Sequence, residues 1–122
     1  MTRFGRGEIV NSVYLAVHHR YIDDRVARAA IADLEGDLRE GRLAIVDVAW
    51  RRALDLAIEL SVRYTATLGT RTLDILHVAS ALTLEAKRFV SYEKGQGTLA
   101  RAVGLRVLAP GCRGRVAPWA RL

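Results

Sequence analysis

Three short aliphatic runs, 42–48 (RLAIVDV), 88–92 (RFVSY) and 105–108 (LRVL), are each too brief for a stable helix and too rich in β-branched or aromatic residues for an ordinary turn. They read as strands. Between and before them lie longer segments whose apolar residues recur every three or four positions, the spacing of a helix with one face turned to a core. Val10, Val13, Tyr14 and Val17 mark such a face over 7–20. Asp23 or Asp24 can cap a second helix faced by Val26, Ala30, Leu34 and Leu38, with Gly41 suited to the turn after it. Trp50, Ala53, Leu54, Ala57, Ile58 and Ser61 mark a third helix ending before Gly69, and Leu73, Leu76, Ala79, Leu82 and Thr83 a fourth after Thr70. A short helix over 96–103 closes at Gly104. Strands alternating with helices imply an α/β fold, a parallel sheet covered by helices.

At 122 residues the chain suits one compact domain. Its organisation reads as a domain over 1–110 followed by a basic tail, 111–122, which loses periodicity and is expected to be mobile. Nineteen Lys and Arg against thirteen Asp and Glu leave a formal charge of +6, a field that draws in polyanions, nucleic acid above all, and equally an acidic protein. Cys112 is the sole cysteine, which excludes an internal disulfide and a cysteine-built zinc site within one chain. No apolar run reaches the ~18 residues a membrane span needs, and residues 1–8 lack a secretory core, so a soluble cytoplasmic protein is expected.

Three acids stand where chemistry could use them. Glu8 falls in the first turn expected of its helix, Asp74 in the first turn of another, and Glu93 directly after the strand 88–92. In parallel sheets ligands bind beyond the carboxyl ends of strands, where Ser91, Tyr92 and Glu93 lie. Carboxylates gathered there could hold Mg2+ or Mn2+, which lowers the pKa of an attacking water and offsets charge on a leaving oxygen during phosphodiester hydrolysis. Each acid also has a plain structural role, since acids in first helical turns complement the helix dipole.

The segment DILHVASAL at 74–82, with TRTL before it and RFVSYEKGQGTLARA after it, resembles the second half of a PIN domain. That family comprises small metal-dependent ribonucleases, among them the VapC-like toxins of toxin-antitoxin pairs, and the similarity covers roughly residues 2–110. It maps the family's acids onto Glu8, Asp74 and Glu93 and places Ser91 where a Ser or Thr is usual; Gln96, Leu99 and Ala100 continue it. The resemblance implies a three-layer α/β/α fold, Mg2+ or Mn2+ as cofactor, RNA as substrate and a cognate antitoxin as partner. Two departures stand out: the family's first strand, with its aspartate, has no counterpart, and position 93 is Glu instead of Asp. The fold is therefore expected to be N-terminally truncated. A second copy of the chain, a separate peptide, or a true start upstream of Met1 would each fill the gap left in the sheet.

Other residues carry weaker signals. Arg6, Arg71 and Lys94 lie close in sequence to the candidate acids and, with Ser91, are the residues expected to contact substrate. His18 and His19 are adjacent and point about 100° apart on a helix, so they cannot share a metal as an i, i+4 pair does. His77, three residues after Asp74, suits packing or hydrogen bonding better than ligation. Trp50 reads as core; Trp119, in the basic tail, could stack on a base. The leading expectation is a VapC-like endoribonuclease. Its rival is a degenerate PIN-like module that binds RNA or protein without cleaving.

Overall fold

A computed structural model describes residues 1–109, which fall into two compact units, Met1–Asp47 and 48–109. Cys112, Trp119 and the basic tail lie outside the described residues. The chain is mostly helical with a small two-stranded parallel sheet.

The first unit is a helical pair, α1 (Arg3–His18) and α2 (Asp24–Arg39). Thr2 caps α1, its Oγ1 accepting the Gly5 N–H at 2.9 Å, so the helix starts four residues earlier than the apolar stripe implies. Glu8 consequently sits in the second turn and not the first. Asp23 caps α2 by accepting the Val26 N–H at 2.8 Å. Ala16 on α1 and Ala27 on α2 are wholly buried. The buried face of α2 is displaced by one position from the sequence reading: Val26 and Ala30 are exposed, while Ala27, Ile31, Leu34 and Leu38 turn inward.

The run 42–48 does not form a strand. Gly41 turns the chain at φ +75°, and Arg42 is held by ion pairs to Asp37, at 2.6 Å, and Glu40. The extended chain beyond then meets only the N-terminus, where the Met1 amino group donates to the Ala44 carbonyl at 2.7 Å and Val46 N–H to the Met1 carbonyl at 2.9 Å. One isolated parallel bridge, Thr2 to Val46, results. Extended backbone becomes a strand only when a neighbour supplies a ladder, and α1 begins one residue after the bridge.

The second unit opens with α3 (Trp50–Leu60), which runs through a π-helical turn, Ser61–Thr65, into the short α4 (Ala66–Leu68). At the start of that wide turn the Ser61 hydroxyl donates to the Ala57 carbonyl at 2.8 Å, competing with the regular helical bond. Gly69, at φ +63°, ends the rod. Helix α5 (Thr72–Thr83) follows, then β1 (Arg88–Val90), α6 (Lys94–Ala102) and β2 (Arg106–Leu108). β1 and β2 pair in parallel, with Arg88 opposite Arg106, Phe89 opposite Val107 and Val90 opposite Leu108.

The core of this unit joins Leu60 to Ile75, Val78, Ala79 and Ala81 of α5 and to Leu99, Ala100 and Leu105, with Phe89 and Val107 packed against it. Val78 and Leu99 are its largest fully buried side chains. Trp50 is not part of it. At 38% exposure Trp50 heads an outward row with Leu54, Ile58 and Val62, because α3 turns Ala53 and Leu60 to the core instead. No helix among the described residues is long and apolar enough to cross a membrane.

Candidate functional site

The start of α5 and the β1–α6 turn bring two of the sequence-predicted acids together. Asp74 stands in the first turn of α5 and is half-buried; Glu93 occupies the N-cap position of α6 and is exposed. Between them is Gly95. A Cβ on Gly95 would stand 3.8 Å from Asp74 Oδ2 and 3.8 Å from Glu93 Oε1, so the two oxygens are separated by no more than twice that distance. Within the described residues neither acid makes an ion pair. Their charges are instead offset by the positive ends of two helices, α5 and α6.

A directed chain of hydrogen bonds fixes this arrangement. Gln96 Nε2 donates to Asp74 Oδ1 at 3.1 Å, and Ser91 Oγ donates to Gln96 Oε1 at 2.9 Å. An ionised carboxylate only accepts, so the Gln96 amide must turn its nitrogen to Asp74 and its oxygen to Ser91, whose single proton is thereby committed. The Ser91 oxygen is left to accept the Glu93 N–H at 3.0 Å. Ser91 is itself anchored to the sheet, its N–H donating to the Leu108 carbonyl at 3.2 Å. The end of β1 thus sets both acids: Glu93 through its backbone and Asp74 through Gln96.

Gln96 was legible only as part of a family pattern. Glu93 and Gln96 have the N-cap and N3 spacing of a capping box, in which the N3 side chain reaches back to the N-cap N–H. Here Ser91 has taken that N–H, and Gln96 turns across to Asp74. Helix α6 accordingly starts at Lys94, earlier than the expected 96.

The remaining predicted residues are placed as follows. Arg71 is the N-cap residue of α5 and Lys94 the first residue of α6, both exposed and each flanking one acid in sequence. Glu8, half-buried on α1, and Arg6 belong to the first unit, where Arg6 forms an ion pair with Glu35. His18 and His19 meet edge to face with ring centroids 5.3 Å apart at the end of α1. His77 lies one turn beyond Asp74 on α5. Among the described residues no group of three or more His, Cys, Asp or Glu side chains is disposed to hold a metal ion.

As a donor set, Asp74 and Glu93 offer hard carboxylate oxygens, of the kind Mg2+ and Mn2+ prefer, and leave open positions for water and phosphate. No family model matches the chain, and neither a curated protein nor a solved structure matches it.

Proposed function

We propose that this protein is a VapC-like, PIN-like metal-dependent endoribonuclease whose acidic site is built on Asp74 and Glu93. The observation that carries the reading is the meeting of Asp74 Oδ2 and Glu93 Oε1 around Gly95, beyond the carboxyl end of a parallel strand. Those two side chains would hold Mg2+ or Mn2+, with Glu8 as the third acid that the PIN resemblance names. The three-layer α/β/α architecture belongs to the same proposal.

A divalent ion there supplies charge to offset a phosphate and lowers the pKa of a water. The chain's own residues do the rest. Gln96 keeps Asp74 in one rotamer, so that Oδ1 is occupied and Oδ2 faces Glu93. Arg71 and Lys94, beside the two acids in sequence, attract the RNA backbone, and the net charge of +6 speeds its arrival. By the same resemblance, the natural partner is a small antitoxin.

The test is RNA cleavage by purified protein in Mg2+ or Mn2+ compared with the Asp74→Asn variant. Cleavage that disappears in the variant and in chelator supports the nuclease. Cleavage unchanged by Asp74→Asn rejects the assignment, and RNA held equally well in chelator without cleavage identifies a binding module.

A further inference from the structure

The second edge of β1 is built to receive another strand. Arg106 N–H donates to the Lys87 carbonyl at 3.0 Å and Ser91 N–H to the Leu108 carbonyl at 3.2 Å. Main-chain groups alternate sides along a strand, so those of residues 87, 89 and 91 serve β2 while those of Arg88 and Val90 point to the opposite edge. No described strand pairs there. Val90 is 60% exposed and Tyr92 58%, both unusual for a parallel sheet, which normally lies under cover.

Charge identifies the occupant. Exposed strand edges commonly carry cations that repel a second strand, and Lys87 and Arg88 would do so alone. Glu93, however, lies as far beyond Val90 as Lys87 lies before it. When the segment is laid antiparallel on a copy of itself about Val90, Lys87 faces Glu93 of the other copy, Arg88 faces Tyr92, and Val90 faces Val90. The outward main-chain groups of Val90 then meet their own counterparts, as a two-fold contact requires. Centring the pair on Phe89 leaves Lys87 facing Ser91, and centring it on Ser91 sets Arg88 against Lys94. Only the Val90 register joins opposite charges. Lys87 and Glu93 are both exposed, and among the described residues neither makes an ion pair within the chain.

We propose that two copies of this chain join edge to edge through β1, antiparallel about Val90, with Lys87 of each copy paired to Glu93 of the other. The partner is a second copy because the edge is complementary to its own reverse. The contact is short, well under the ~800 Å² per partner of a standard interface, so the dimer is a weak one.

Sedimentation equilibrium of the full chain in chelator, up to about 1 mM, reads this directly and independently of any nuclease activity. The wild type is expected to pass from monomer to dimer as concentration rises. Val90→Pro removes an N–H that points away from β2, so it spares the β1–β2 ladder and should leave a folded monomer. Lys87→Glu and Glu93→Lys should each weaken the dimer about tenfold by setting like charges opposite one another twice, and combining them should restore it. A monomeric wild type, a dimer indifferent to Val90→Pro, or a double variant no stronger than either single one would overturn the proposal.

Discussion

Replacing Gly95 with alanine should move stability and metal affinity in opposite directions. Gly95 is the second residue of α6, its φ lies outside the left-handed region, and the added methyl would meet Asp74 Oδ2 and Glu93 Oε1 at ordinary van der Waals distance, 3.8 Å each. Nothing in the metal-free protein opposes it. Alanine in a helix gains up to about 1 kcal/mol over glycine, and near an N-terminus about half of that is a fair expectation. A gain of ~0.5 kcal/mol corresponds to a rise of roughly 2–4 °C in midpoint temperature for a domain of this size. The same methyl occupies the space between the two carboxylates. A Mg2+ ion sits about 2.1 Å from its oxygen ligands and keeps several waters, for which that space is needed. Mn2+ affinity is therefore expected to fall by on the order of tenfold or more, as it does when neighbours of metal ligands are changed. Calorimetric melting in chelator gives the first quantity and Mn2+ titration the second. A Gly95→Ala protein that melts higher and binds Mn2+ as tightly as wild type would refute the placement of an ion between Asp74 and Glu93.

Three further changes probe the frame of the site. Leu99→Ala empties a fully buried position in the core beneath α6 and should cost about 2–5 kcal/mol, seen as a lower urea midpoint with an unchanged slope. Gln96→Leu keeps the bulk but removes the link from Ser91 to Asp74; because the link is only partly buried, a loss of about 1 kcal/mol is expected in the same urea assay. Arg106→Glu converts the like-charged cross-strand pair with Arg88 into an opposite one, and the midpoint should rise by about 0.2–1 kcal/mol, an increment that disappears in high salt.

How far the letters led depends on what each element needed in order to form. Helices α1, α2, α3 and α5 were readable because a stripe of apolar side chains and a cap suffice to make them. Their inward faces were less so: Leu34 fits two adjacent stripes on α2, and the burial of Ala27 instead of Val26 follows from packing that no single helix reveals. The strand at 88–90 forms because 106–108 supplies a parallel neighbour. The equally aliphatic run 42–48 has only Thr2 as a bridge partner and remains irregular, since a strand is a property of a pair. At the candidate site, the meeting of Asp74 and Glu93 was foreseeable from a helix start and a strand end. The role of Gln96 was not, because spacing alone pointed its side chain back to Glu93 until Ser91 was seen to have taken that N–H.

Titration of the purified chain with Mn2+, followed by electron paramagnetic resonance in wild type, Asp74→Asn and Glu93→Gln, tests the shared carboxylate site most directly. Binding in the wild type that weakens in each variant alone is the expected result. No binding by the wild type, or binding that neither substitution alters, would contradict it.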